Sequence, residues 1–230
     1  MISIDEAREL VANQALWPRV RDFLWDFAPQ IHESRLEGLD KLELLEQRAQ
    51  ASGLVDRDSP RVKKFILDSL GVAPCFHTFP KDDCSRLLLL NGATLESIAK
   101  WLGALACADS LRRVTSGATV RELKAALPGI YPEVFGYTAY FGSLEACKIG
   151  EGESLAGEII SNGYAMLFSA TADLSEPLLN RFVLKLPKSE SSKLPGREAP
   201  NFQTPKPLSR QLLLKLLKLR FPEAYSLCCL

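Results

Sequence analysis

Cys75-Phe76-His77, followed by Asp83 and Cys84, is the place in this sequence where metal-ligating residue types gather. Zinc takes about four nitrogen or sulfur ligands, commonly as two closely spaced pairs. Only three such ligands are local here, and a fourth would have to come from Cys107 or His32. The favoured reading is therefore incidental cysteines beside a loop. Cys75 and His77 could share a strand face as nucleophile and base, yet no orienting or oxyanion-stabilising group accompanies them. Gly150-Glu151-Gly152 superficially suggests a phosphate loop, but a dinucleotide fingerprint needs a glycine where Leu155 stands. Glu151 and Glu153 would also repel a pyrophosphate, so this segment reads as a turn. No Gly-Lys-Ser/Thr phosphate loop and no G-x-S-x-G elbow occurs. With only His32 and His77 in the chain, general acid–base chemistry has few participants. The expectation is a protein that is not an enzyme, with no cofactor and no metal site.

Three features suit interaction instead. Arg112-Arg113 follows Leu111, either as a solvated helix end or as a contact for an acidic partner. Leu208 to Arg220 carries seven leucines against a narrow polar stripe of Gln211, Lys215 and Lys218. So wide an apolar arc must be covered: by the rest of the chain, by a partner groove, or by a membrane surface. The last would want more basic residues than Lys215, Lys218 and Arg220. Arg112, Arg113, Leu213, Leu216 and Leu217 are thus the candidate partner-binding residues. Cys228-Cys229 could be acylated, but the C-a-a-X arrangement is absent because Cys229 is penultimate.

The elements that would position these residues are helical. Apolar residues from Ile4 to Phe27 recur at three- and four-residue spacing, with a break expected near Trp17 because Pro18 interrupts the pattern. Leu36 to Ala51 reads as a second helix with a Glu37–Lys41 pair, ended by Gly53. Pro60 and Gly71 bracket a third. Residues 74–85 form a loop. Gly92-Ala93-Thr94 and Gly117-Ala118-Thr119 open two further helices with a shared grammar, Thr119 and Glu122 having capping-box spacing. Leu95, Ile98, Ala99, Leu102 and Leu105 make one core-facing stripe, and Pro128-Gly129 halts the second of these helices. Tyr131 to Phe141 is undecided between helix and strand, Tyr164 to Ala172 resumes an apolar helix, and Arg181 to Leu186 alternates like a strand but could equally be helical. Residues 187–207 hold five prolines among serines and charges, the composition of a linker or surface arm.

These elements imply a mainly α fold: a helical domain over 1–186, with room for one or two short strands, a Pro/Ser-rich arm over 187–207, and a leucine-rich helix and tail over 208–230. The chain has 230 residues, with 28 basic and 28 acidic side chains, 47% hydrophobic and 24% charged residues. Such values exclude global disorder and a generic electrostatic nucleic-acid binder. No run approaches the ~18–20 apolar residues of a membrane span. Met1 to Glu6 has early acids and no basic n-region, unlike a secretory signal. Six cysteines in a chain of this length are too sparse for a disulfide scaffold, so a reducing cytosol is expected.

The stretch Leu87–Leu90, Leu102-Gly103, Leu111-Arg112-Arg113, Gly117, Val120-x-x-Leu123 and the aromatic close from Tyr131 to Phe141 resembles the SctK family of type III secretion systems, the YscK/PscK and MxiK/OrgA group. Arg181-x-x-Leu184-Lys185-Leu186-Pro187 is similar to the family's C-terminal ending. The resemblance implies a non-catalytic, mostly helical adaptor of the cytosolic sorting platform. It would join the cytosolic domain of an SctD-like inner-membrane ring protein to an SctQ-like pod protein, peripheral to the bacterial inner membrane and without spanning it. The residues alone leave two rivals: a small regulatory or chaperone-like protein that binds through its leucine-rich helix, and a zinc or thiol enzyme built on Cys75, His77 and Cys84.

Overall fold

A computed structural model describes residues 8, 11–39, 42, 45, 47, 59–80, 84–141, 154–191 and 206–229. Among them are eleven α-helices and no strand: α1 Trp17–Leu24, α2 Pro60–Ser69, α3 Gly92–Ala106, α4 Ala108–Arg112, α5 Gly117–Ala126, α6 Val134–Phe141, α7 Leu155–Ala170, α8 Glu176–Leu184, α9 Lys188–Ser191, α10 Lys206–Arg220 and α11 Pro222–Cys229. Three 3₁₀ turns, Ala28–Gln30, Glu33–Arg35 and Cys84–Leu89, complete the regular structure. The mainly α expectation holds, and both ambiguous stretches resolve as helix, in α6 and α8.

Proline and glycine punctuate as expected. Pro18 lies in the first turn of α1, so the break falls at Trp17. Pro60 opens α2, and Gly71 follows it at φ +63°, where a left-handed residue ends a helix most readily. Several boundaries differ. No helix starts at Leu36, because Gly38 adopts φ +81° and turns the chain; residues 42, 45 and 47 are helical, while Lys41 and Gly53 lie outside the described residues. The loop expected over 74–85 gives way at Cys84 to the 3₁₀ turn that carries the leucine run. The capping box of Thr119 and Glu122 does not form, since the N-cap of α5 is Ser116, three residues earlier than Thr119. α7 begins well before Tyr164: the Ser154 hydroxyl accepts from the Gly157 amide at 3.1 Å and caps it.

The chain divides into two compact units, the first formed by Met1–Gly92, Leu174–Lys188 and Leu227–Leu230, the second by Ala93–Asp173 and Ser189–Ser226. In the first, α1 and α8 pack against the Cys84–Leu89 turn and α2 against Ala28–Gln30. Val20, Phe23, Phe27, Ile66, Phe79, Leu88 and Phe182 form its core. Phe23 meets both Phe27 and Phe79 edge-on, at 5.5 and 5.6 Å between centroids. The C-terminal carbonyls of α8 are taken up by neighbours: Arg35 donates to Val183 (3.0 Å) and Leu186 (3.2 Å), and the His32 amide to Leu184 (2.9 Å). That arrangement satisfies acceptors that a helix end otherwise leaves open.

In the second unit α7 is the axis, with α10 and α5 packed on it and α4 on α6. The predicted α3 stripe of Leu95, Ile98, Ala99, Leu102 and Leu105 is buried as a set. α3 and α7 cross at backbone contact: a Cβ added at Gly103 would lie 1.9 Å from the Ile159 carbonyl oxygen, and one at Gly163 1.8 Å from that of Ala99.

Candidate interaction surfaces and a buried cationic pair

Of the residues nominated for chemistry, His32, Cys75, His77 and Cys84 belong to the first unit and Cys107 to the second. His77 packs its ring edge-on against Phe79 at 4.9 Å. Cys75 sits beside the Arg181 guanidinium. Burial pushes its thiol up in pKa, and the neighbouring positive charge opposes this only in part. A thiol held protonated is a poor nucleophile and a poor ligand. Among the described residues, no three His, Cys, Asp or Glu side chains come together as a cation site; Asp83 lies outside those residues.

Arg181 and Lys185 are the unanticipated feature of this unit. Arg181 lies on α8 and Lys185 caps its C-terminal end, and both are buried, at 4% and 1% exposure. Arg181 donates to the carbonyls of Phe23 (2.6 Å) and Ala73 (3.2 Å), and Lys185 to those of Leu88 and, at 2.9 Å, Leu90. Their charges also lie over the Phe23 and Phe27 rings, Arg181 5.0 Å from the Phe27 centroid and Lys185 4.9 Å from that of Phe23. Burial lowers the pKa of both, Lys185 to about 7, with Arg181's charge adding to the effect on Lys185. The Arg181-x-x-Leu184-Lys185 signature is thus an internal clamp, in which two cations tie α8 to carbonyls of three distant chain segments.

The surface of this unit carries an aromatic patch. Trp17, Arg21 and Trp25 follow one another at four-residue spacing, which aligns them on one face of α1 and the residue after it. Trp25 is 56% exposed and Phe76 49%. Rings hold each other in place: Trp17 to Trp25 at 5.7 Å, and Trp25 to Phe76 edge-on at 6.2 Å. Exposed, pre-packed Trp and Phe are the residue types that anchor protein interfaces. The i, i+4, i+8 spacing of Trp17, Arg21 and Trp25 was legible in the sequence, whereas the approach of Phe76 was not.

In the second unit Arg112, at the end of α4, donates to Thr138, pairs with Asp109 at 3.4 Å and lies 5.9 Å from the Phe135 ring centroid. Its guanidinium is half-exposed but oriented by α6. Arg113 is exposed. The structure does not bring these arginines together with the nominated leucines into one surface. Leu213, Leu216 and Leu217 are all fully buried in this unit, on the helix that packs against α7. A partner would reach them only if α10 left α7.

The end of α10 is pinned by Arg220, which pairs with Glu133 at 2.7 Å, donates to the Tyr137 hydroxyl at 3.2 Å and stacks 4.6 Å above Trp101. Removing this clamp with Arg220→Ala is expected to cost ~1–2 kcal/mol, read as a lower denaturant midpoint; an unchanged midpoint would mean the stack contributes nothing.

The described helices carry oriented aromatic and cationic groups at the surface, and none of them is long and apolar enough to cross a membrane. Residues 22–129 match the family described as YOP proteins translocation protein K (YscK). This is the family that the leucine, glycine and arginine pattern resembles, and it ties the protein to type III secretion. No curated protein and no solved structure matches the chain.

Proposed function

We propose that the protein is a non-catalytic adaptor of a type III secretion cytosolic sorting platform, linking the cytosolic domain of an SctD-like inner-membrane ring protein to an SctQ-like pod protein. The observation that carries this reading is the YscK match over residues 22–129, which contains the Trp25 and Phe76 patch and the Arg112-Arg113 pair. Binding, on this reading, is the whole of the mechanism. The aromatic patch supplies apolar anchors that lose little entropy on docking, because their rings are already packed. Arg112 and Arg113 supply positive charge for an acidic partner surface, Arg112 being held ready by Thr138 and Phe135. The protein then works in the cytoplasm and reaches the inner membrane through its partners.

Purified full-length protein titrated separately with the pod protein and with the ring protein's cytosolic domain tests this. Both are expected to bind. Arg112→Glu with Arg113→Glu should weaken one of the two about tenfold or more, like charges across an interface being costly, and should leave the circular-dichroism spectrum unchanged. Trp25→Ala with Phe76→Ala should weaken binding by about 2 kcal/mol or more at an anchor position. Failure of the wild-type protein to bind either partner would overturn the adaptor reading.

A further inference from the structure

The leucine-rich helix also carries leucines beside its polar stripe, on the side that the second unit leaves exposed. Leu212, Leu213, Leu216 and Leu217 are buried. On the opposite side of α10, Leu208, Leu214 and Leu219 remain 36%, 38% and 43% exposed, interleaved with the exposed Gln211, Lys215 and Lys218. Helical spacing puts these six residues on one face: Leu208, Lys215 and Leu219 line up at i, i+7 and i+11, with Gln211, Leu214 and Lys218 alongside. From Leu208 to Leu219 the face runs about 16 Å, three helical turns. The basic residues nearer the two ends turn elsewhere, Arg210 towards the Ala170 carbonyl and Asp173, Arg220 towards Glu133 and Trp101. The charge this face offers outward is therefore that of Lys215 and Lys218.

We propose that this outward face of α10 docks an acidic amphipathic helix of a partner protein. Three leucines at i, i+6 and i+11 offer apolar contact along three turns of one partner helix, and the two lysines select carboxylates beside those contacts. A second copy of this chain fits worse: Lys215 and Lys218 would face each other, and a face this short buries well under the ~800 Å² per partner of a stable association. A membrane surface fits worse too, since two lysines fall short of the basic cluster that holds a helix on anionic lipid, and the face carries no aromatic residue. The face lies outside the matched YscK span, and the proposal does not need the adaptor reading.

Photocrosslinking in the native host tests it, with p-benzoylphenylalanine placed at Leu214 or Leu219 of the full chain and, as a control, at exposed Arg121 on α5. Adducts are expected at 214 and 219 but not at 121, and the captured peptide should be a helical segment of net negative charge. Lys215→Glu with Lys218→Glu should lower adduct yield about tenfold, and reversing the charges of the captured segment should restore it. If the double reversal lowers the melting temperature, Lys215→Gln with Lys218→Gln replaces it, with a smaller loss of yield expected. Yields at 214 and 219 no higher than at 121, adducts to lipid or to a second copy, a basic captured segment, or indifference to both charge changes would each overturn the proposal. An acidic helix from a protein outside the secretion apparatus would uphold the docking face and count against the adaptor reading. Absence of adducts would remove the docking face and leave the adaptor reading standing.

Discussion

Gly163→Ala is expected to unfold the second unit at temperatures where the native chain is stable. At the α3–α7 crossing the Ala99–Gly103 turn faces the Ile159–Gly163 turn. A Cβ at Gly163 would sit 1.8 Å from the Ala99 oxygen, 2.6 Å from the Ala99 carbonyl carbon and 3.0 Å from the Gly103 nitrogen. All three obstacles are backbone atoms, so no rotamer change relieves them; the helices themselves must separate from ~2 Å towards the 3.5–4 Å of ordinary contact. Separation would open gaps around Leu95, Leu102, Ile159 and Leu167, each buried to within 1%. Overpacking usually costs ~1–3 kcal/mol, and a clash confined to main chain should exceed that range, lowering the melting temperature by ~10 °C or more. Gly103→Ala meets the mirror-image obstacle at Ile159 and should cost as much. The double variant should cost less than the sum, because one separation relieves both clashes. Gly136→Ala on α6, where an added Cβ meets nothing within 4 Å, is the control and should leave the melting temperature unchanged or slightly raised. Melting curves of the four variants decide it; a native-like Gly163→Ala would mean that α3 and α7 do not cross at backbone contact.

Gly103 also illustrates how far the sequence could be read. It stands in the Leu102-Gly103 pair of the family pattern, but the reason for glycine there is a second glycine sixty residues later, and no local pattern joins the two. What repeats locally was legible: the α3 stripe, the Pro18 break, and the Pro60–Gly71 bracket. What depends on distant backbone was not. Arg181 and Lys185 look like ordinary surface charges in Arg-Phe-Val-Leu-Lys-Leu, since lone basic residues are seldom buried. Their acceptors are carbonyls of Phe23, Ala73, Leu88 and Leu90, placed by three other segments. The terminal leucines show the same divide. Composition required most of them to be covered, but only the position of α7 determines that Leu213, Leu216 and Leu217 face inward while Leu214 and Leu219 face out. For function, spacing could dismiss the phosphate loop and leave the Cys75–His77 cluster short of ligands; the exposed Trp25–Phe76 contact joins residues that no periodicity connects.

The buried pair on α8 should make the protein more stable as pH rises above neutrality, the reverse of what deprotonating a favourably paired lysine would do. Lys185 falls from the ordinary value of 10.5 to about 7 in the folded protein, first because burial strips water from its ammonium and then because Arg181 is also positive. Below pH 7 folded and unfolded chains both carry this proton, so the penalty for burying the charge is constant. Between about 7 and 10.5 the unfolded lysine keeps its proton and the folded one has lost it, so the unfolded state binds more protons and stability climbs with pH. The slope for one proton approaches ~1.4 kcal/mol per pH unit, about 2–3 kcal/mol between pH 7 and 9. Lys185→Met keeps the length of the side chain and removes the titration, so its profile should lack this rise. The variant also leaves the Leu88 and Leu90 carbonyls without their donor, at ~1–3 kcal/mol for each buried group left unpaired. Its deficit against the native protein is therefore greatest at pH 9 and narrows towards pH 6, where the native protein carries the buried charge. Urea midpoints of both proteins at pH 6, 7, 8 and 9 measure the difference directly. Converging profiles on the acid side would establish Lys185 as a charge held at a cost inside the fold; parallel profiles would show that its ammonium is as well solvated by four carbonyl lone pairs and two phenyl rings as it is by water.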